Sequence, residues 1–262
     1  MISDDDQLAR ELADQAGQLL LALRAAGGEA GQLRRDGDRR SHEFLAAQLA
    51  AARPGDAVLS EEGRDDAARL SADRVWIVDP LDGTREFGEP GRTDWAVHVA
   101  LWERGELTAG AVALPAQGRI LSTAALARDA PGPPDGGAPD AAPGTGGELR
   151  LVVSRTRPPE FVMRLAGKVA GRLLPLGSAG AKAAAVIGGD ADAYVHSGGQ
   201  YEWDSAAPVA VARAAGLHAS RIDGSKLVYN QAVPSVPDIL ICRAALAGML
   251  LEAIDYVRHP RE

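Results

Sequence analysis

Residues 76–87 read WIVDPLDGTREF, and this stretch decides how the rest of the chain is interpreted. Its leading apolar residues predict the end of a strand that is covered on both faces. Pro80 and Gly83 predict a turn directly after the strand, because proline restricts φ and glycine lets the backbone approach a ligand closely. Asp79 and Asp82 flank that turn, so their carboxylates can converge on one point. Two converged carboxylates must share a proton or hold a cation.

Acidic residues elsewhere in the chain favour a cation over the simpler interpretation, in which Asp82 and Gly83 form an ordinary β-turn. Glu61 and Glu62 follow a short predicted strand, AVLS, and Asp204 begins the apolar helix predicted for WDSAAPVAVARAAG. Oxygen ligands at the ends of strands and helices suit hard cations such as Mg²⁺. The chain has no Cys/His cluster that would indicate zinc.

Composition narrows the class of protein. The chain has 262 residues and a formal net charge of -8, which argues against a general nucleic-acid or membrane-surface binder. The N-terminus is acidic and amphipathic, unlike a signal peptide, and no apolar run is long enough to span a bilayer. The single cysteine, Cys242, excludes an intrachain disulfide and favours a reducing compartment. We therefore expect a cytoplasmic protein with no membrane or nucleic-acid partner.

Hydrophobic patterning predicts an α+β first half followed by an α/β second half. Helices are predicted from the N-terminus to Gly27, over 39–52, near 159–170, from Ser178, over 204–215 and at the C-terminus. Strands are predicted at 57–60, 75–78, 95–102, 110–115, 119–123, 149–154, 173–176, 192–196 and 238–242. Between residues 128 and 147, eleven of twenty residues are proline or glycine, which predicts a flexible loop. The predicted domains are an N-terminal lobe with the metal site (1–127), this loop (128–147) and a C-terminal lobe (148–262).

Three motifs resemble those of a known family. SEE at 60–62, WIVDPLDGT at 76–84 and EWDSAAPVAVARAAG at 202–216 are similar, in order and rough spacing, to the inositol monophosphatase superfamily of Mg²⁺-dependent, lithium-sensitive phosphatases. The resemblance runs through nearly the whole chain. It implies the sugar phosphatase fold, an α-β-α-β-α layered sandwich with the site between two lobes. It also implies a homodimer.

The resemblance implies two bound Mg²⁺ ions and a weaker third. The implied metal ligands are Glu61, Glu62, Asp79, the main-chain carbonyl of Leu81, Asp82 and Asp204. Paired metals suit phosphate esters, because they neutralise the charge of the dianion and lower the pKa of the attacking water. The same residues therefore agree with the cation site expected from the motif itself.

The implied catalytic residues are Asp82, Thr84 and Asp38. In the family a Thr hydroxyl and an upstream Asp activate the attacking water, and Thr84 and Asp38 stand at the matching positions. Family members usually show Asp-x-x-Thr-x-x-Asp around the upstream Asp, whereas this chain reads QLRRDGDRRSHEF. Asp36 is therefore an alternative to Asp38.

Details of the motifs resemble one branch of the superfamily, the CysQ-type 3′-phosphoadenosine-5′-phosphate (PAP) phosphatases of sulfate assimilation. The branch features are DGTREF, the lysine of GSAGAK (177–182) and EWD (202–204). The implied substrate-binding residues are Gly83, Thr84, Arg85, Arg155, Gly177, Ser178, Ala179, Lys182 and Glu202. Lys182 and the amides of 177–179 are expected to meet the second phosphate of PAP, and Arg155 is expected to contact phosphate or adenine.

The leading hypothesis is hydrolysis of the 3′-phosphate of PAP to AMP and phosphate, by in-line attack of a metal-activated water. The alternative is a broad inositol-1-phosphatase or fructose-1,6-bisphosphatase that uses the same metals. Histidinol phosphatase activity is a more distant option, since that branch shares D-P-x-D-G-T. A catalytically inactive binding protein would require a broken ligand set, and this ligand set is complete.

Overall fold

The structure, a computed structural model, describes residues 4–129, 148–156 and 158–259. The helices are α1 Asp4–Ala26, α2 Ala30–Ala52, α3 Thr84–Gly88, α4 Thr123–Asp129, α5 Glu160–Lys168, α6 Ala179–Ile187, α7 Glu202–Ala214 and α8 Ala247–Arg258. The strands are β1 Ala57–Ser60, β2 Arg74–Asp82, β3 Ala96–Glu103, β4 Glu106–Leu114, β5 Arg119–Ser122, β6 Leu149–Ser154, β7 Gly171–Leu176, β8 Ala193–Tyr201, β9 His218–Ser220 and β10 Ser235–Cys242. They form two five-stranded sheets.

The first sheet has the order β1-β2-β3-β4-β5. Strands β1 and β2 are parallel, and the other neighbours are antiparallel. Helices α1 and α2 cover one face of this sheet, where Leu20, Leu45 and Trp76 belong to one buried cluster. Helix α2 begins at Ala30 and not near residue 39 as predicted, because the Glu29 side chain accepts the first backbone N–H groups of the helix.

The second sheet has the order β7-β6-β8-β10-β9. Strand β6 is parallel to β7 and β8, whereas β10 is antiparallel to both β8 and β9. The C-terminal half is therefore a mixed sheet and not a purely parallel one. Helices α5 and α8 cover its outer face, with Leu165, Leu240 and Ile254 in a third buried cluster.

Helices α6 and α7 lie between the two sheets and share a core with both. Ile77 and Val112 of the first sheet, Val209 of α7 and Ile239 of the second sheet belong to one buried cluster. The layers are thus α1/α2, first sheet, α6/α7, second sheet and α5/α8. This arrangement is an α-β-α-β-α layered sandwich, and the predicted α+β class is confirmed.

The loop predicted for residues 128–147 lies largely outside the residues that the structure describes. The predicted loop includes Arg128 and Asp129, which belong to α4. The remainder of that loop, 130–147, lies outside the described residues. Within the described ranges, none of the helices combines the length and the apolar character that crossing a membrane would require.

Candidate active site

The turn between β2 and α3 lies at the centre of the site. The pairing of β2 with β3 shifts between Asp79 and Asp82, which lets both carboxylates approach one point instead of alternating across the sheet. Gly83 adopts a φ of 86°, and a Cβ at this position would lie 3.1 Å from the Ser178 Cβ. Glycine is therefore required here by conformation and by space. The Ser41 hydroxyl of α2 donates to the Pro80 carbonyl at 2.7 Å and holds this end of β2 in place.

Asp204 completes an acidic cluster with the two aspartates of the turn. It lies in the first turn of α7, where its Oδ2 accepts a hydrogen bond from the backbone N–H of Tyr201 at 2.6 Å. Carboxylate oxygens of Asp79, Asp82 and Asp204 lie within 4.8 Å of one another. Three carboxylates at this spacing match the oxygen ligands that Mg²⁺ prefers.

The electrostatics of the acidic cluster favour a cation. Burial raises the pKa of Asp79 well above its usual value, and the neighbouring acids raise it further. Burial and repulsion from Asp82 raise the pKa of Asp204 to about 6. Burial alone would also raise the pKa of Asp82, but His98, Lys182 and the Gly180 N–H together lower it. A bound cation favours the ionised form of all three acids, so the residues present fit a divalent metal.

His98 lies directly beneath the acidic cluster and is fully buried. Its Nε2 is 3.2 Å from the Asp82 Oδ2, and its Nδ1 is 3.1 Å from the Trp203 carbonyl. The ring thus connects β3 to the beginning of α7.

Glu61 and Glu62 directly follow β1 and are exposed at the surface. The pKa of Glu61 rises to about 7, because the surrounding protein desolvates the carboxyl and because Asp204, Asp82, Glu62 and Asp38 repel its charge. Glu62 in turn helps to raise the pKa of Asp38. Glu61 is thus close enough to Asp79, Asp82 and Asp204 to interact with their charges, whereas Glu62 interacts with Glu61 and Asp38.

Thr84 and Asp38 form a pair at the edge of the acidic cluster. The Thr84 hydroxyl lies 3.1 Å from the Asp38 Oδ1 and 3.1 Å from the Leu81 carbonyl, so it can donate to either. Burial and the charge of Glu62 raise the pKa of Asp38 to about 6. Asp36 instead accepts hydrogen bonds from Gln32 and Arg39 on α2. The structure thus brings Asp38, and not Asp36, to Thr84.

The start of α6 forms the wall opposite the turn. Ser178 caps the helix by accepting the Ala181 N–H at 2.8 Å. The Gly177 N–H donates to the Asp94 Oδ2 at 2.7 Å, and the Ser178 N–H donates to the Asp94 carbonyl at 3.2 Å. These two amides have acceptors within the protein, so the expectation that they bind a phosphate is not supported. Asp94, which the sequence did not single out, positions this wall.

Lys182 lies one turn into α6 and is only 3% exposed. Its Nζ donates to the Gly177 carbonyl at 2.6 Å and lies 5.2 Å from the centre of the Tyr194 ring. Burial lowers the pKa of Lys182, while the charges of Asp82 and Asp204 oppose that shift. The ammonium is therefore a built-in counter-charge of the acidic cluster.

Arg155 lies at the edge of the site but is ion-paired. Its Nε and Nη2 donate to the Glu86 Oε1 at 3.1 and 2.7 Å, and its Nη2 also donates to the Glu89 Oε1 at 2.8 Å. Glu86 is 5% exposed, so removal of Arg155 would leave a buried carboxylate without this ion-pair partner.

Glu202 has a different role from the predicted contact with substrate. It is fully buried, and its two oxygens accept the backbone N–H groups of Asn230 and Gln231 at 2.7 and 2.8 Å. Asn230 exchanges hydrogen bonds with the buried Arg69. Glu202 thus anchors the beginning of α7, two residues before Asp204, to a distant loop.

A pocket of about 230 Å³ lies above the acidic cluster. The predicted residues that line it are Asp82, Gly83, Thr84, Arg85, Gly177, Ala179, Lys182 and Asp204. His196 also lines the pocket, and the lining residues that were not predicted from the sequence include Glu86, Ser154, Gly199 and Gln200. Glu86 stands within the opening motif and could have been found there. The β8 residues carry no local signal, because only the sheet pairing brings them to the pocket.

Comparisons with known proteins agree with this geometry. The model of the inositol monophosphatase family matches residues 3–257. The 3′-phosphoadenosine 5′-phosphate phosphatase of Mycobacterium tuberculosis is 54% identical over 246 residues, covering 91% of this chain and 89% of that protein. Its namesake from Mycobacterium leprae is 51% identical, covering 95% and 93%.

Solved structures and more distant relatives point to the same family. The crystal structure of CysQ from Bacteroides thetaiotaomicron has a TM-score of 0.71 and 26% identity, covering 92% of this chain and 97% of that one. The inositol-1-monophosphatase of Mesorhizobium japonicum is 30% identical, covering 81% of this chain and 80% of that protein. This chain belongs to the inositol monophosphatase family, a family of metal-dependent phosphatases.

Proposed function

We propose that this protein hydrolyses the 3′-phosphate of PAP to give AMP and phosphate, with Mg²⁺ as cofactor. The observation that carries the chemistry is the acidic cluster of Asp79, Asp82 and Asp204 beside the Thr84–Asp38 pair. The choice of substrate is supported by the 51–54% identity to proteins named PAP phosphatases. A cluster of acids lining a pocket would repel a phosphate ester, so the proposal requires bound cations.

Asp79, Asp82 and Asp204 would hold Mg²⁺, with Glu61 and the Leu81 carbonyl as further ligands. Glu62 would contribute through water to a third, weaker ion. When bound there, Mg²⁺ would neutralise phosphate charge and would lower the pKa of water. His98 and the Gly180 N–H hold the Asp82 carboxylate in place for this purpose.

Asp38 and Thr84 would handle the proton of the attacking water. The Thr84 hydroxyl can accept that proton and pass its own to Asp38, whose Oδ1 lies 3.1 Å away. A carboxyl with a pKa of about 6 is ionised at neutral pH and still basic enough to accept a proton. The backbone N–H groups of Gly83 and Thr84 would hold the reacting phosphate.

The cellular setting belongs to the same proposal. Removal of PAP with formation of AMP suits sulfate assimilation in the cytoplasm. Lithium sensitivity and a homodimer are expected from the resemblance to the family. The partner is a small phosphate ester and not a nucleic-acid polymer, in line with the net charge of -8.

The test is phosphate release from PAP, inositol 1-phosphate and fructose 1,6-bisphosphate, each with Mg²⁺ and with a chelator. We expect Mg²⁺-dependent release with a strong preference for PAP. Comparable rates on all three substrates would favour the broad inositol-1-phosphatase or fructose-1,6-bisphosphatase instead. Release that persists in chelator, or no release from PAP, would overturn the proposal. The Asp82→Asn variant serves as the control for a contaminating phosphatase.

A further inference from the structure

We infer that Arg85 binds the phosphate of the substrate that is not cleaved, and that this side chain, not Lys182 or Arg155, provides the preference for a bisphosphate. The inference rests on the proposed function, since it concerns the second phosphate of PAP. It differs from the sequence expectation, in which Lys182 met that group.

Arg85 is the cation that faces the pocket without a protein partner. It directly follows Thr84 in α3, its side chain is exposed, and it lines the pocket. Among the described residues, its side chain has no hydrogen-bond or ion-pair partner. An exposed guanidinium offers planar donors that match two phosphate oxygens at once.

The two competing cations already have partners. Lys182 is 3% exposed, and its Nζ donates to the Gly177 carbonyl at 2.6 Å. Arg155 uses Nε and Nη2 to bind Glu86, and Nη2 also binds Glu89. Either residue would have to break a charge-assisted or buried hydrogen bond before it could bind a phosphate. Arg85 would not.

The position of Arg85 also suits a phosphate other than the one that is cleaved. Thr84 and the acidic cluster act on the phosphate that is cleaved. Arg85 is the next residue along the chain and reaches the same pocket from its rim, so it can meet a second anionic group of the bound molecule. Glu86 lines the pocket as well, but its pairing with Arg155 offsets the repulsion that a second phosphate would otherwise meet there.

The experiment compares PAP with adenosine 3′-monophosphate, two substrates that differ only in the 5′-phosphate. Arg85→Gln removes the charge and keeps a hydrogen-bonding side chain of similar length, and Arg85→Lys keeps a charge without the planar donors. Arg172→Gln is the matched control, because Arg172 is exposed on the edge strand β7 and does not line the pocket. Inhibition by AMP and by inorganic phosphate is measured alongside.

We expect Arg85→Gln to lower kcat/KM for PAP by about 10- to 100-fold and to leave the value for adenosine 3′-monophosphate within about twofold. Arg85→Lys should lie between these limits, and Arg172→Gln should match the unchanged protein. In Arg85→Gln, the inhibition constant of AMP should rise by a factor similar to the loss of kcat/KM for PAP, whereas inhibition by inorganic phosphate should not change.

The outcomes separate the inference from the proposed function. Equal losses on both substrates would make Arg85 a contact of the cleaved phosphate and overturn the inference. Unchanged PAP hydrolysis in Arg85→Gln would overturn it too, as would an unsubstituted enzyme that shows no preference for PAP over adenosine 3′-monophosphate. In each of these cases hydrolysis of PAP itself still stands. No hydrolysis of PAP by the unsubstituted enzyme would overturn both.

Discussion

The Asp82 Oδ2 accepts a hydrogen bond from the backbone N–H of Gly180 at 2.8 Å, across 98 residues of the chain. This bond joins the acidic cluster at the end of β2 to the first turn of α6. Because α6 also carries Lys182, the position of Asp82, a proposed metal ligand, and the position of the pocket wall are set together. A substitution at the start of α6 should therefore alter the position of the Asp82 carboxylate.

Gly180→Ala should disturb Asp82 through His98. A Cβ at residue 180 would lie 2.3 Å from the His98 Nε2 and 2.9 Å from the Val112 Cγ1, closer than side chains can pack. We expect a loss of about 1–3 kcal/mol in the free energy of unfolding from this overpacking. Urea unfolding measures it. Adding His98→Ala should recover part of the loss, and strictly additive effects of the two substitutions would contradict the assignment.

Asp79→Asn should remove the response to metal while stabilising the metal-free protein. The raised pKa of Asp79 means that its charge is unfavourable without a cation. Asparagine keeps an oxygen for the Leu81 N–H. In chelator we expect Tm to rise by roughly 2–4 °C, the shift that about 1 kcal/mol produces in a chain of this size. Mg²⁺ should raise Tm of the unsubstituted protein and of Asp73→Asn, an exposed control, but not of Asp79→Asn; an equal shift in all three would refute the ligand assignment.

The stability of the metal-free protein should fall as pH rises towards neutrality. The folded pKa is raised from 4.5 to about 7 for Glu61, and from 3.8 to about 6 for Asp204 and Asp38. Between the unfolded and the folded pKa of each group, the folded state holds more protons than the unfolded state. Stability is therefore lost as the pH rises through the pKa values of the folded state. Mg²⁺ must displace those protons and should bind more weakly below about pH 6 than above about pH 7. Thermal shift against Mg²⁺ concentration tests this; an affinity independent of pH would argue against it.

Asp38→Asn should slow the reaction far more than Asp36→Asn. Asp38 is the acid that contacts Thr84, whereas Asp36 is occupied on α2. Loss of a general base costs about 10²–10⁴-fold in kcat. The two substitutions remove the same charge from the same helix, so Asp36→Asn is the matched control. Equal rates for the two variants would exclude the proposed base.

Glu202→Gln should lower stability and leave the KM for PAP unchanged. Each oxygen of the Glu202 carboxylate accepts one backbone N–H group, and the NH2 of an amide cannot accept, so one of the two N–H groups would lose its acceptor. We expect a loss of about 1–3 kcal/mol in the free energy of unfolding. Glu43→Gln, on the exposed face of α2, is the control. A raised KM without a loss of stability would restore the sequence prediction that Glu202 binds substrate.

Most of what the sequence predicts about the site comes from the motif WIVDPLDGTREF. The β2 strand, Gly83 and the two aspartates follow from local rules for glycine and buried strands. The predicted turn at Pro80 was wrong, because β2 continues to Asp82 with a shifted pairing to β3. Asp204 was predicted at the start of its helix, although it lies within the first turn. The start of α2 was missed, because Glu29 is a less usual N-cap than Ser, Thr, Asp or Asn.

What the sequence by itself determined is the set of chemical groups and the elements that carry them. Local composition specifies where a strand ends, which residues can bind a cation and where a glycine must stand. The tertiary structure alone decided which polar groups remain available to a ligand. Asp94 accepts hydrogen bonds from the N–H groups of Gly177 and Ser178, and Glu202 accepts a hydrogen bond from the N–H of Asn230 in a distant loop. These pairings join residues far apart in the chain, and buried polar groups accept whichever partner the packed layers bring to them.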